Sequence, residues 1–202
     1  ILTKEGTRVS NTSFTIEGDY TDLLTVGYPL MFTDSTVKYA NITSSSYSSV
    51  TRLTTINIIG GTTYILVGNP TDIFFAYGNA VGFPAKFAYT FQFYKNDGTS
   101  TLTSTQTGGF IQINNRTLFG GVEVAALGDP SGGNYYLAAP ITPNVSGKVG
   151  VGGGIFADSS TSRGCFIYWN NSVNKMGIQR PEGGNWYTSG AGAGFINFNY
   201  PI

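Results

Sequence analysis

Histidine is absent from the sequence, cysteine occurs once, and charged residues make up only 11% of it. Each shortage removes a class of chemistry. Without an imidazole there is no ordinary general base near neutral pH, so His-based triads are excluded. Zinc sites of the Cys/His type cannot be assembled from this chain alone. The lone Cys165 cannot form an internal disulfide. It lies in the apolar run Gly164-Cys165-Phe166-Ile167-Tyr168-Trp169, where a buried, inert thiol is expected rather than a nucleophile. The 11 basic residues balance the 11 acidic ones, and no run of Lys or Arg occurs. That balance removes the electrostatic footprint of a nucleic-acid binder or of a protein drawn to anionic membranes. No stretch approaches the roughly 18 apolar residues of a membrane-spanning helix, so no membrane insertion is expected. The chain opens on Ile1 with no basic-then-apolar pattern, as a processed product or part of a longer polypeptide would.

Carboxylates are the remaining candidates for chemistry. A glycosidase needs two acids flanking one bond. Beyond Asp97 the acids are Glu123, Asp129, Asp158 and Glu182. Asp129 sits in a Gly-Asp-Pro turn and Glu182 in Arg-Pro-Glu-Gly-Gly, where acidic residues are ordinary turn formers. Glu123, in Gly121-Val122-Glu123-Val124-Ala125, points to one face of a strand and reads as an exposed or interface residue. Asp19 with Asp22, or Asp34 alone, is too sparse for a calcium cage. Gly150-Val151-Gly152-Gly153-Gly154 is followed by neither Lys-Ser/Thr nor a helix-forming stretch, so it is no phosphate loop. Glycines there, and in Gly190-Ala191-Gly192-Ala193-Gly194, are expected to allow close strand packing or bulges. No catalytic residue, metal site or cofactor is expected.

What the chain has in quantity is glycine (28), phenylalanine (14) and tyrosine (13), with Thr, Ser and Asn filling most polar positions. Aromatic and β-branched residues broken by Gly and Asn favour strands joined by tight turns, so the fold class is all-β. Thr12 to Glu17 and Val37 to Ile42 alternate apolar and polar residues as half-buried strands do. Tyr20 to Leu24 reads as one helical turn. Residues 1–67 are expected to form a small β-meander or barrel-like domain suited to attachment or oligomerisation. Residues 68–202 are expected to form a larger, aromatic, Gly-rich β-sandwich of jelly-roll type, suited to binding, because strand candidates recur there every 8–12 residues or so. Lys86 to Tyr94 reads as its clearest strand, with Asn96-Asp97-Gly98 as a hairpin turn and Thr99 to Thr107 returning.

One constellation suits recognition: Tyr135, Tyr136, Trp169, Asn170, Asn171, Arg180, Trp186 and Tyr187. Tyr and Trp offer flat amphipathic faces to a glycan or protein receptor, and Asn and Arg supply directional hydrogen bonds. The competing reading for each ring is core packing, strongest for Trp169, which ends an apolar run. Trp186-Tyr187 follows a Gly-Gly turn, which favours a surface position. Asn-X-Ser/Thr triplets at Asn11, Asn41, Asn115, Asn144 and Asn170 follow from the composition and do not by themselves imply glycosylation.

The segment Ser13-Phe14-Thr15-Ile16-Glu17-Gly18-Asp19-Tyr20-Thr21-Asp22-Leu23-Leu24-Thr25-Val26-Gly27-Tyr28-Pro29-Leu30 resembles tail-fibre and other appendage proteins of bacteriophages. In these a strand ending in Gly-Asp leads through a short turn into a further strand. The Tyr39 to Tyr47 stretch and the Thr-rich Thr51 to Asn57 continue the likeness, which covers about residues 10–60. The resemblance implies a non-enzymatic virion protein, often a homotrimer built of small β-domains, that contacts other virion proteins and a host-surface glycan or protein. It transfers no site residues. A phage head fibre or capsid-decorating protein, and a secreted carbohydrate-binding module, remain as alternatives.

Overall fold

The computed structural model describes residues 4–75, 81–114, 116–128, 133–147, 149–158, 161–183, 186 and 192–202. Among them the chain is all-β, with strands in a six-stranded and a ten-stranded sheet, one of which curls into a half-barrel. Two compact units are present: Ile1–Phe87 with Ile113–Arg116, and Ala88–Gln112 with Thr117–Ile202.

The first unit holds β1 (Thr7–Ser10), β2 (Ser13–Glu17), β3 (Pro29–Asp34), β4 (Thr36–Ser48), β5 (Leu53–Ile59) and β6 (Thr71–Phe75), ordered β1-β2-β5-β4-β3-β6. Alternation sets the faces. Phe14, Ile16, Leu30, Phe32, Ile42, Ile56 and Ile58 point into one core, joined by Leu24, Leu66 and Ile73. The opposite face carries a row of hydroxyls across four strands, Thr7, Thr15, Thr55 and Ser46 in register. The expected helical turn is present, with the Leu24 amide donating to Tyr20 O over 2.9 Å. This unit runs past residue 67 because β6 pairs with β3 and adds Ile73 to the core. The stretch before β6 is held by a buried polar latch rather than by strand pairing. The Asp34 carboxylate accepts the amides of Val67 (2.7 Å) and Gly68 (2.8 Å) and pairs with the Lys38 ammonium at 3.0 Å. Burial alone would raise the Asp34 pKa, but those two amides and the ammonium outweigh it and hold the group below the usual carboxylate value.

The second sheet is built from β7 (Phe87–Ala88), β8 (Phe93–Tyr94), β9 (Thr101–Leu102), β10 (Ser104–Asn114), β11 (Thr117–Leu127), β12 (Tyr135–Leu137), β13 (Val149–Asp158), β14 (Thr161–Asn170), β15 (Lys175–Gln179) and β16 (Gly192–Pro201). Their order is β7-β10-β11-β16-β13-β14-β15-β12-β8-β9. Strands β9 and β10 stand near opposite ends of that order, yet a single residue, Thr103, joins them. Consecutive Cα atoms are only about 3.8 Å apart, so the sheet must curl far enough to bring β9 to the start of β10. The amide of Gly128, just past β11, donates to Thr103 O at 3.1 Å and fastens that seam. Curling is easiest where side chains do not interfere. A Cβ at Gly154 would lie 2.1 Å from Phe195 O, and one at Gly194 would lie 2.3 Å from Ile155 O. Only glycine lets β13 and β16 approach this closely.

The segment 86–94, expected as one long strand, is two short ones. β7 belongs to one end of the sheet and β8 to the other. Between them the chain leaves regular pairing, and the Gln106 side chain takes over: its amide oxygen accepts Phe91 N (3.0 Å) and its Nε2 donates to Phe91 O (2.6 Å). Of the expected hairpin only the short β8–β9 pair is present, with Phe93 opposite Leu102; the rest of the expected return strand, from Ser104, belongs to β10 near the other end of the sheet. The hairpin turn is organised by Asp97, which accepts the amides of Thr99 and Ser100 and the Ser100 hydroxyl, so that its pKa falls to about 2.

Candidate binding surface on the outer face of the second sheet

The aromatic constellation expected as a recognition site divides among several environments. Tyr135, Trp169 and Trp186 are at most 2% exposed and form part of the core of the second unit. Trp186 corrects the expectation of a surface ring. Its indole N–H donates to Ile178 O at 2.8 Å, and the ring meets Phe156 edge-on at 5.2 Å. With that N–H satisfied internally, nothing opposes burying the large apolar body of the side chain. Arg180 is also buried, and its guanidinium grips the Glu182 carboxylate, which Arg163 reaches as well at 3.1 Å. It is not a free directional donor. Asn171 is exposed, and Tyr187 and Asp129 lie outside the described residues.

Tyr136 and Asn170 do come together, on the outer face of the sheet. Tyr94, Tyr136, Gly177 and Tyr168 form a row in register across β8, β12, β15 and β14. Gly177 makes the cluster possible, since a Cβ there would lie 2.3 Å from the Tyr168 ring. Asn170 reaches the Tyr136 hydroxyl and Asn134 the Tyr168 hydroxyl, each at 3.4 Å, and Lys175 stands 4.3 Å over the Tyr94 ring. Burial first, then the neighbouring Tyr136 hydroxyl, raise the Tyr168 pKa. Tyr136 and Tyr168 are only 7% and 6% exposed, so this cluster is a polar-aromatic seal, not an open site.

The accessible surface lies further along the same face. Phe166, Ile155, Phe195 and Phe119 are 59%, 61%, 47% and 39% exposed, although neighbours in each strand fill the core. Three are close together, since Ile155 pairs with Phe195 and Gly153 pairs with both Phe166 and Asn197; Phe119, opposite Asn199, lies four residues further along β16 on the same face. Scattered apolar side chains are normal on a surface, but a contiguous group marks an interaction site.

Within this face lies an open groove of about 350 Å³, walled by Phe110 and Phe119 and floored by Gly120, Gly152 and Gly153, with Asn197 and Asn199 projecting beside them. Its lining carries no charged side chain. Phe110 and the Asn197 carboxamide both lean over Gly121, where a Cβ would meet the ring at 2.7 Å and the amide oxygen at 2.5 Å. Asn197 and Asn199 are exposed, and their carboxamides make no hydrogen bond among the described residues. These residues had a signal in the sequence. Phe195-Ile196-Asn197-Phe198-Asn199-Tyr200 alternates strictly, so one set of side chains must face away from the core.

Glu123 is exposed on β11, as expected, and among the described residues no group of three or more acids, cysteines or histidines is placed to hold a metal ion. Of the glycosylation triplets, Asn41 is only 1% exposed and uses its side chain to cap Gly27 O at 3.0 Å. Comparison with known proteins finds no matching family model and no similar curated protein or solved structure.

Proposed function

We propose that this chain is a non-enzymatic structural protein of a bacteriophage particle, a tail-fibre or other receptor-binding component that attaches to the host surface. The observation that carries the binding role is the exposure of four large apolar side chains on one sheet face, Ile155, Phe166 and Phe195 as neighbours and Phe119 further along. Burying them on a partner would recover roughly 1.5–3 kcal/mol per fully covered side chain. Such a surface costs a protein solubility unless it is used. The virion assignment is supported by the resemblance of residues 10–60 to phage appendages. A non-enzymatic role is supported by the lack of histidine and the scattering of the acids. Homotrimerisation and contact with other virion proteins belong to the same proposal.

Two measurements test it together. Labelled antibody or electron cryomicroscopy should place the chain at the tip of a tail appendage, and the purified chain should compete with particles for adsorption to host cells. A capsid location would select the head-fibre reading instead. Absence from purified particles, with no binding to bacterial cells, would overturn the proposal.

A further inference from the structure

We propose that the groove between Phe110 and Phe119 holds one uncharged pyranose ring of a host-surface polysaccharide. This rests on the reading of the chain as a surface-attachment protein and names the ligand class for that face. At about 350 Å³ the groove lies at the small end of the range for specific ligands. Its two walls are aromatic rings, which suit the C–H face of a sugar. Its polar groups are the carboxamides of Asn197 and Asn199, each a donor and an acceptor with no partner among the described residues. A purely apolar ligand, such as an acyl chain or a leucine-rich peptide, would strip water from both amides and replace none of their hydrogen bonds. A ring with one apolar face and a rim of hydroxyls satisfies the walls and the amides at once.

Charge narrows the class further. None of the lining residues is charged, so a sugar carboxylate or sulfate would be desolvated with no cation to receive it. Glu123 lies two residues beyond Gly121 on the same outward-facing strand positions and is exposed, adding repulsion to any anionic ring. Neutral hexoses and N-acetylhexosamines fit, and uronic and sialic acids do not. A single ring held by two amides and two aromatic walls binds weakly. Oligomerisation of the chain would multiply that affinity along a repeating polysaccharide.

Glycine decides how this can be tested. Gly152 and Gly154 meet neighbouring backbone, so substituting them would disturb the sheet. At Gly121 the obstacles are the ends of two side chains, Phe110 and Asn197, and the backbone there is not left-handed. Gly121→Ala should therefore displace the wall and the amide while leaving the sheet intact. The experiment is NMR titration of the 202-residue chain with methyl glycosides of glucose, galactose and N-acetylglucosamine, and with glucuronate. Binding in the millimolar range is expected for at least one neutral glycoside, with shifts at the Asn197 and Asn199 side-chain amides and the Gly153 backbone amide. Glucuronate should produce none of these shifts. Asn197→Ala and Gly121→Ala should each weaken binding by about 10-fold, with the unfolding transition unmoved.

Unchanged affinity in both variants, equal binding of glucuronate, or shifts that depend on protein concentration without sugar would overturn the proposal, the last because a second copy would then occupy the groove. Cell binding separates this idea from the one beneath it. If the chain binds cells and Asn197→Ala binds them equally well, the groove assignment fails while attachment stands. If neutral glycosides bind but cells do not, attachment fails while the groove stands.

Discussion

Replacing Trp186 with alanine is the most direct test of where the aromatic constellation belongs. The side chain is 1% exposed, donates its indole N–H to Ile178 O at 2.8 Å, and packs on Phe156 at 5.2 Å and Tyr135 at 6.1 Å. Truncating a buried aromatic to alanine costs about 3–5 kcal/mol, the spread reflecting how far the cavity collapses. Trp186→Phe keeps a ring but loses the hydrogen bond and some volume, for which about 1–2 kcal/mol is expected. Urea unfolding followed by tryptophan fluorescence suits this measurement. The chain has two tryptophans, Trp169 and Trp186, and both lie in the second unit. In either variant the remaining Trp169, itself buried, reports that unit alone. Phe166→Ala is the matched control, because a 59% exposed side chain should change stability by no more than about 0.5 kcal/mol. If Trp186→Ala left the midpoint where it was while abolishing adsorption to cells, the ring would be a surface anchor and the core placement wrong.

Two further predictions concern ionisation. Asp34 has a lower pKa folded than unfolded, so its contribution is present above the ordinary carboxylate pKa and is lost as pH falls through the folded value. The protection factors of β3 and β4 amides, which take out the intrinsic pH dependence of exchange, should therefore fall as the pH drops below about 4. In Asp34→Asn that acid dependence should flatten. The same variant should destabilise the first unit at neutral pH by about 3 kcal/mol or more, because the buried Lys38 ammonium loses its counter-charge. A variant as stable as the parent would refute the latch. Burial pushes the Cys165 thiol up to about 11, leaving roughly 100-fold less thiolate than an ordinary cysteine at a given pH. A maleimide or disulfide reagent at pH 8 should label it only when the second unit unfolds, and rapid labelling of the native chain would show the thiol to be open.

Local sequence was enough for the all-β class and, through the absence of histidine, for excluding His-based chemistry. Alternation in Thr12 to Glu17 and Val37 to Ile42, and the Asn96-Asp97-Gly98 turn, are local signals, and β2, β4 and the short β8–β9 hairpin appear where they point. The inert setting of Cys165 was also local, set by the apolar residues around it. Tertiary structure decided what local pattern cannot reach. Whether Lys86 to Tyr94 stays one strand depends on Gln106, a residue distant in the chain that captures the Phe91 backbone. Whether Trp186 is core or surface depends on Ile178 offering it a carbonyl. The close approach of β13 and β16 depends on their glycines standing opposite larger residues of the other strand, Gly154 opposite Ile196 and Gly194 opposite Phe156, a register that neither strand reveals alone. The same register determines the candidate site. Phe110, Phe119 and Asn197 come from three strands and share a face only because hydrogen bonding aligns them. Burial and pairing are properties of neighbours in space, so a ring's type was legible in the sequence and its exposure was not.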